Sequence, residues 1–347
     1  MNLSDRYIQI DEEGFFLSAE KRILDEDLGF HAFENLKLTD SKIYKTQFGE
    51  NDCIVEAFDD PYVAGQISFE ENNWWLYLPY DFKIKFDLKT LSLDEWDRFH
   101  GVAENGIPFV LSNKAQSEFF NLLEEFDDES ITWNGKKIKI PSYWSETKTV
   151  RDEKYWSDVY RTEENPGWNL NSAAEAFKDM LPRLKLTKSR VLVLGCGEGH
   201  DAAHFAEAGH IVTAVDISPE AIARAQKKYA EFKNIKWVEA DIFALPKEWL
   251  HQFDIVVEHT CFCAIDPTQR SALAQIWIRL LAPQGKLMAI FFTMEKKEGP
   301  PFGATEWEIR ARLKKSFTFL FWGRWRGSIA KRQGRELFVY AQKRNLS

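Results

Sequence analysis

The strongest constraint on the fold is an alternation of strand-like and helix-like segments that begins near residue 190. Seven short apolar runs carry the strand pattern, at residues 190–194, 211–216, 235–240, 253–258, 286–292, 317–322 and 336–341. Helix-like segments at 219–231 and 267–281 lie between them, each starting with Pro after Ser218 or Asp266 as the N-cap. Such alternation predicts an α/β fold, with a mostly parallel sheet covered by helices on both faces.

The first half of the chain lacks this alternation. Residues 82–88 alternate apolar and charged side chains, which predicts a half-buried strand, and Asn134-Gly135 between two strand-like runs predicts a hairpin. Residues 116–126 suit a short amphipathic helix, and the aromatic run at 74–78 is better explained as core than as a ligand platform. We therefore expect a small α+β domain over residues 1–140, a linker at 141–152 and the α/β domain over 153–347.

Charge also divides the chain. Residues 1–150 contain 30 acidic and 15 basic residues, net −15, and residues 151–347 contain 24 acidic and 30 basic residues, net +6; the sum is −9. The acidic half would repel phosphate backbones, so nucleic acid is a poor partner for it, whereas a regulatory role or a protein partner stays open. Residues 310–344 contain 11 basic residues and one acid, which fits either a solvated face against the acidic domain or a site for an anion or RNA.

The composition also bears on where the protein works. No run approaches the roughly 18 to 20 apolar residues that cross a bilayer, and residues 1–27 are too charged for a signal peptide. The 4 cysteines are too few for a disulfide framework at this length. These features predict a cytoplasmic protein with no membrane partner.

Candidate ligand-binding residues follow three successive strands of the predicted sheet. The first strand runs into a turn with alternating glycines at 195, 197 and 199, which lets a ligand approach the backbone closely. A dinucleotide-binding turn would have glycine at position 200, where this chain has His200, so a diphosphate ligand is disfavoured. Asp216 ends the second strand, where a carboxylate can accept both ribose hydroxyls, and Asp241 with Ile242 and Phe243 follows the third. Either acid alone could be a helix cap, but the three signals in order predict S-adenosylmethionine as the ligand.

With these motifs the chain resembles the class I S-adenosylmethionine-dependent methyltransferases, and within them the thiopurine S-methyltransferase superfamily, which includes thiol and halide methyltransferases. The resemblance covers about residues 155–344 and is most specific at 253–267 with Arg270, and at 299–302. It implies a Rossmann-like seven-stranded sheet and S-adenosyl-L-methionine as cofactor. Trp156 and Trp168 match aromatic residues that line the family's pocket, although Tyr160 stands where a second Trp is common.

The resemblance also implies roles for individual residues. Leu194, Gly195 and Gly197, with Cys196 between them, would border the methionine part of the cofactor. Asp216 and Ile217 would contact the ribose, and Asp241, Ile242 and Phe243 would flank the adenine. Glu258 and Thr260 would line the approach to the methyl group, and Arg270 would hold or help deprotonate the acceptor.

Several of these residues have a second interpretation. Arg270 could be a helix-surface arginine paired with Asp266, and His259 is equally a candidate base or a packed core histidine. Cys261 and Cys263 form one C-x-C pair, which favours buried small side chains over a metal site. We predict no metal in this protein.

The function predicted from the sequence is methyl transfer from S-adenosylmethionine to a small soft nucleophile. Thiols, thiopurines, halides and metalloid oxyanions are the candidate acceptors, because each reacts in a direct displacement once ionised. The alternative is an RNA-associated or regulatory binding protein built on a methyltransferase scaffold, with the basic residues of 310–344 contacting phosphate.

Overall fold

The computed structural model describes residues 7–345 and divides the chain into two units. One unit runs to Ser145 and includes the short segment Thr305–Glu308, and the other comprises Glu146–Ala304 and the chain from Ile309. Local sequence gives no sign that four residues this late in the chain belong to the first unit. Among the described residues, every helix is too short or too polar to cross a bilayer.

The elements are numbered along the chain. The helices are α1 Glu26–Glu34, α2 Asn113–Leu122, α3 Glu153–Thr162, α4 Glu175–Leu184, α5 His200–Glu207, α6 Pro219–Lys228, α7 Arg270–Leu280 and α8 Glu306–Leu313. The strands of the first unit are β1 Tyr7–Ile10, β2 Phe16–Ser18, β3 Lys21–Arg22, β4 Lys37–Leu38, β5 Tyr44–Phe48, β6 Asn51–Ala57, β7 Tyr62–Ala64, β8 Gln66–Glu70, β9 Asn73–Tyr77, β10 Lys83–Phe86, β11 Ser92–Leu93, β12 Phe99–Val102, β13 Pro108–Leu111, β14 Glu125–Asp127, β15 Ser130–Trp133 and β16 Lys136–Lys139. The strands of the second unit are β17 Arg190–Leu194, β18 Ile211–Asp216, β19 Ile235–Glu239, β20 Phe253–His259, β21 Leu281–Phe292, β22 Phe317–Arg324 and β23 Glu336–Lys343.

From residue 7 onward, the first unit is built from four sheets around an aromatic-rich core. The sheet orders are β3-β2-β1-β6-β5-β4, β10-β9-β8, β11-β12-β13-β7 and β14-β15-β16. Asn134 and Gly135 both have positive φ and join β15 to β16, so the predicted hairpin is confirmed. The helix expected at 116–126 instead spans Asn113–Leu122, because Ser112 caps its first turn and residues 125–127 pair with β15.

A network of charged side chains is buried in this first unit. His100 lies between two carboxylates, with Nδ1 2.6 Å from Asp60 and Nε2 3.1 Å from Asp94. Arg98 donates to Asp94 and to Asp59 at 2.8 and 2.5 Å. Burial alone would lower the pKa of His100, but the carboxylate of Asp60 and the hydrogen bonds to both acids raise it to about 9. The ring is therefore charged at neutral pH and counts as a cation in the network.

The second unit contains the predicted seven-stranded sheet, in the order β19-β18-β17-β20-β21-β23-β22. Neighbouring strands are parallel except at β23, which is antiparallel to both β21 and β22. Along β17, Val191 and Val193 pack into one apolar cluster while Leu192 and Leu194 pack into another. Both faces of the sheet are therefore covered, and the α/β fold predicted from the sequence is confirmed.

Two predicted helix starts have different outcomes. Ser218 accepts a hydrogen bond from the N–H of Ala221 and caps α6, as predicted. Asp266 instead caps a single 3-10 turn, Pro267–Gln269, and α7 follows it. Strand β21 follows α7 directly at Leu281, and its pairing with β20 shifts register between Phe253 and Ile255.

Candidate functional site

A cavity of about 680 Å³ lies in the second unit, where the carboxyl ends of β17, β18 and β20 meet. This volume is within the range of about 300–1,000 Å³ that is usual for small-ligand sites. Eleven of the predicted site residues line it: Trp168, Gly195, Cys196, Gly197, Asp216, Ile217, Asp241, Ile242, Phe243, His259 and Thr260. The structure thus brings together most of the residues that the sequence analysis selected.

The glycine turn after β17 has a backbone conformation that residues with a side chain could not adopt without strain and close contacts. Gly195 and Gly197 have φ values of +60° and +52°. A Cβ at position 195 would lie 2.9 Å from the Cβ of Cys261, and one at position 197 would lie 2.9 Å from the hydroxyl of Tyr160. Glycine is therefore required at both positions for the backbone to take this left-handed conformation against Cys261 and Tyr160.

Asp216 ends β18 with its carboxylate held in place by backbone donors. Oδ2 accepts from the N–H of Gly197 at 2.8 Å, and Oδ1 accepts from the N–H of Ser218 at 2.9 Å. Burial raises the pKa of Asp216, while these backbone N–H groups act in the opposite direction. The carboxylate is therefore fixed at the cavity wall with acceptor capacity left on both oxygens.

The segment after β19 forms another part of the wall. Asp241 accepts from the N–H of Phe243 at 2.8 Å and caps a 3-10 turn at Ile242–Ala244. This cap is the alternative role considered from the sequence, and the same residue still lines the cavity. Ile242 is buried, so an apolar surface lies next to a polar group, as a base-binding site requires.

Aromatic side chains from α3 and the segment after it form a further wall. The ring centroids of Trp156 and Trp168 are 5.7 Å apart, and those of Tyr160 and Trp168 are 5.8 Å apart. The indole N–H of Trp168 donates to the Tyr160 hydroxyl at 3.2 Å. Burial raises the pKa of Tyr160, which therefore stays neutral at physiological pH. All three side chains line the cavity.

Three predicted site residues do not line the cavity. Leu194 is fully buried in the apolar core. Glu258 is also fully buried; one oxygen accepts from the N–H of Phe262 at 2.8 Å, and burial raises the pKa of the carboxyl to about 8. Arg270 is buried with its guanidinium 4.4 Å from the ring centroid of Phe262. The surface-arginine alternative is therefore wrong, and direct contacts of these residues with a ligand stay predictions.

His259 lines the cavity, but both of its ring nitrogens are already engaged. Nδ1 lies 2.6 Å from the carboxylate of Asp201, and Nε2 lies 2.9 Å from Nη1 of Arg332. A guanidinium can only donate, so Nε2 must be the acceptor and Nδ1 must carry the hydrogen. In this arrangement the ring has no lone pair left to take a proton from an acceptor, which argues against the predicted base role.

The cysteines near the glycine turn are neutral thiols. Cys196, Cys261 and Cys263 all line the cavity, and Cys261 and Cys263 are buried. Burial raises the pKa of each of the three thiols above its ordinary value. They contribute small apolar surface, in agreement with the prediction for the C-x-C pair.

Sequence reasoning missed three cavity residues in the basic C-terminal segment. Lys331, Arg332 and Arg335 line the cavity, although the charge count alone placed them on a solvated face or in a general anion site. Their position follows from strand order: Glu336, the first residue of β23, pairs with Phe292 at the carboxyl end of β21. The residues just before β23 therefore lie at the same edge of the sheet as the carboxyl ends of β20 and β21, which only the pairing of distant strands reveals.

The site residues fit an adenosyl ligand that lacks phosphates. The glycine turn presents bare backbone at the cavity wall, and the Asp216 carboxylate suits a ribose diol. Phe243 and Ile242 supply an apolar surface for a base, and the aromatic wall suits a sulfonium. A carboxylate at this position would instead repel a phosphate.

Comparison with known proteins assigns the second unit to a family. Residues 151–326, just over half of the chain, match the family model for thiopurine S-methyltransferase. Thiocyanate methyltransferase 1 of Arabidopsis thaliana is 31% identical over 159 residues, which is 45% of this chain and 68% of that protein. Probable thiol methyltransferase 2 of the same plant is 30% identical over 149 residues, 42% of this chain and 65% of that protein.

Among solved structures, an N-methyltransferase from Bradyrhizobium japonicum in complex with S-adenosylhomocysteine matches with a TM-score of 0.47 and 22% identity. The match covers 56% of this chain and 100% of that one. The family assignment rests on the sequence match over residues 151–326. The chain belongs to the thiopurine S-methyltransferase family of S-adenosylmethionine-dependent methyltransferases.

Proposed function

We propose that this protein transfers the methyl group of S-adenosylmethionine to a small, soft nucleophile such as thiocyanate, bisulfide, a thiolate, a halide or a metalloid oxyanion. The observation that carries the proposal is the cavity itself, which joins the adenosyl-binding features to a basic wall at Lys331, Arg332 and Arg335. The relatives named thiol and thiocyanate methyltransferases support the same class of acceptor.

The chain's own residues would act by holding the two reactants in line. The glycine turn and Asp216 would fix the adenosyl part, and the wall formed by Trp156, Tyr160 and Trp168 would exclude water. When bound, the cofactor supplies an electrophilic methyl group on a sulfonium. Displacement of this kind needs alignment of the reacting atoms more than acid or base chemistry, so positioning supplies most of the rate enhancement.

The structure favours this function over RNA association. Lys331 donates to the carbonyl of Gly167 at 3.2 Å, and Arg332 is buried and bonded to His259. Arg332 is therefore committed to the cavity wall, whereas a nucleic-acid backbone is tracked by an exposed basic groove. The roles of Arg270 and of the acidic first unit, including a protein partner for that unit, remain proposals, as does a cytoplasmic location.

The test is a panel of acceptors assayed with methyl-labelled S-adenosylmethionine and the full-length protein. Thiocyanate, iodide, bisulfide, tellurite and a thiopurine would each be compared with a catechol as a hard oxygen acceptor. We expect transfer to at least one soft nucleophile and none to the catechol. The Asp216→Asn variant should lose the activity, whereas Glu239→Gln, a charge removal at an exposed position paired with Asp216 across β18 and β19, should keep it. Transfer to the catechol alone would refute the proposed acceptor class.

A further inference from the structure

Four side chains form a connected hydrogen-bonded cluster at the cavity, which we call the arginine clamp: Asp201, His259, Arg332 and Glu336. Asp201 is 2.6 Å from Nδ1 of His259, whose Nε2 is 2.9 Å from Nη1 of Arg332. The same Nη1 donates to Glu336 at 3.1 Å. The clamp joins α5, the end of β20 and the start of β23, which are far apart in sequence.

The clamp fixes which ring nitrogen of His259 carries the hydrogen. Arg332 can only donate, so Nε2 accepts and the Nδ1 hydrogen is donated to Asp201. Asp201 is itself anchored, since its other oxygen accepts from the N–H of Ala174 at 2.9 Å. A carboxylate at position 201 thus enforces the one tautomer of His259 that can hold Arg332.

Arg332 keeps donor capacity that the clamp does not use. Of its five N–H groups, two on Nη1 go to His259 and Glu336, and one on Nη2 goes to the carbonyl of Trp168 at 2.7 Å. Contacts within residues 7–345 leave the other two N–H groups for a ligand. The guanidinium lies 5.0 Å from the ring centroid of Phe292 and is only 4% exposed. A buried, pre-aligned guanidinium on a cavity wall is a favourable anion site.

The charge of this wall is positive despite Glu336. Lys331 and Arg335 line the same cavity as Arg332, so three basic residues from one short segment stand against the two acids of the clamp, Asp201 and Glu336. Asp216 and Asp241 accept from backbone N–H groups, and Glu198 pairs with Arg224 and Lys228. An anion would therefore bind favourably at this part of the wall.

We propose that Asp201 and His259 are positioning residues that hold Arg332 as the binding group for the methyl acceptor, and that the acceptor binds as an already deprotonated small anion. This inference rests on the proposed methyl transfer. The lone pair of the anion forms a bond to the methyl carbon while the carbon–sulfur bond breaks and its electron pair stays on sulfur. An anion and a sulfonium thus become a neutral methylated product and a neutral thioether, and no proton moves. An acceptor that arrives deprotonated needs no base, which is consistent with the engagement of both ring nitrogens of His259.

Asp201→Asn is the most selective test because it changes the hydrogen-bonding pattern but barely changes shape. With Oδ1 still accepting from Ala174, the new amide NH₂ would face Nδ1 of His259 and turn it into an acceptor. The ring hydrogen of His259 would then move to Nε2 and point at Nη1 of Arg332. Because both groups are donors, the hydrogen bond between them would be lost and the guanidinium of Arg332 would no longer be held in place. Glu207→Gln on the same helix removes a negative charge at an exposed position and serves as the matched control.

Three readouts would be taken on the full-length protein. The tautomer of His259 would be read from ¹⁵N–¹H correlation spectra, thiocyanate binding from calorimetry in the presence of S-adenosylhomocysteine, and KM for thiocyanate and iodide from steady-state kinetics. We expect an Nδ1–H ring in the wild type and an Nε2–H ring in Asp201→Asn. Loss of one charge-assisted contact should raise KM and the dissociation constant for thiocyanate by about 10- to 100-fold, with cofactor affinity unchanged. His259→Gln, which can still accept from Arg332, should recover part of what His259→Phe loses.

The outcomes separate this inference from the proposed function. An Nε2–H ring in the wild type, or unchanged thiocyanate affinity and KM in Asp201→Asn, would overturn the positioning role while leaving methyl transfer intact. An equal loss of cofactor affinity in Asp201→Asn would also overturn it, because the clamp would then serve the whole site. If the wild-type protein methylates none of the anions, the proposed function fails instead.

Discussion

The role of Asp216 leads to a quantitative prediction for the Asp216→Asn variant. The substitution keeps the shape of the side chain but replaces one carboxylate oxygen by an NH₂ group and removes the charge. Each oxygen now accepts from a backbone N–H, Gly197 at 2.8 Å and Ser218 at 2.9 Å. One of these two backbone N–H groups would therefore face the new amide NH₂ group, which is also a donor. The ribose hydroxyls would in addition lose a charged acceptor.

A hydrogen bond to a charged group contributes about 1.5–3 kcal/mol, which corresponds to about 10- to 150-fold in affinity. We therefore expect the dissociation constant of Asp216→Asn for S-adenosylhomocysteine, measured by isothermal titration calorimetry, to be higher than that of the wild type by this factor. An analogue without ribose hydroxyls should bind the wild type and the variant almost equally, because the lost interaction is the one with the sugar. The Glu239→Gln variant is the matched control and should bind like the wild type.

Two results would refute the reasoning about Asp216. The first is S-adenosylhomocysteine binding in Asp216→Asn as tight as in the wild type, with an unchanged circular dichroism spectrum. The second is an equal loss of affinity for the analogue without hydroxyls, since Asp216 would then act by supporting the loop and not through the ribose.

Three further predictions concern the glycine turn and two buried titratable groups. Gly195→Ala should lower the free energy of unfolding by about 1–2 kcal/mol, because alanine is strained in the left-handed conformation, and it should also weaken cofactor binding. Gly209→Ala, at φ +90° with open space around it, should lower only the free energy of unfolding. Thermal melts would measure the stability of both variants, and calorimetry would measure their cofactor affinity. The pKa of His100 is raised to about 9, so its stabilisation is complete below the unfolded pKa of about 6.5 and is lost as pH rises through 9; protection factors for amide hydrogen exchange in the first unit should fall over this pH range in the wild type and fall less in His100→Asn. The pKa of Glu258 is raised to about 8, so wild-type stability should fall as pH rises from about 4.5 to 8, and denaturant titrations should show a smaller fall in Glu258→Gln.

Local sequence predicted the parts of the fold and site that depend on neighbouring residues. The boundaries of β17 and β18, the cap at Ser218 and the turn at Asn134-Gly135 follow from short-range sterics and hydrogen bonding. The glycine turn and Asp216 were accessible for the same reason, because parallel strands of an α/β sheet present their carboxyl ends at one edge.

The site contacts that could not be predicted from the sequence depend on segments that are far apart along the chain. Arg332 reaches His259 because β23 pairs with β21, and nothing near residue 332 encodes that pairing. The partner of His259 on α5 is likewise 58 residues away along the chain. Arg270 was placed at the site by family resemblance, but packing against Phe262 buries it outside the cavity wall.

The most direct test of the account is a crystal structure of the full-length protein with S-adenosylhomocysteine. We predict the ribose hydroxyls at hydrogen-bonding distance from Asp216, the adenine beside Ile242 and Phe243, and the thioether sulfur facing the part of the cavity lined by Arg332. A ligand bound elsewhere, or one with its ribose away from Asp216, would contradict the proposed site.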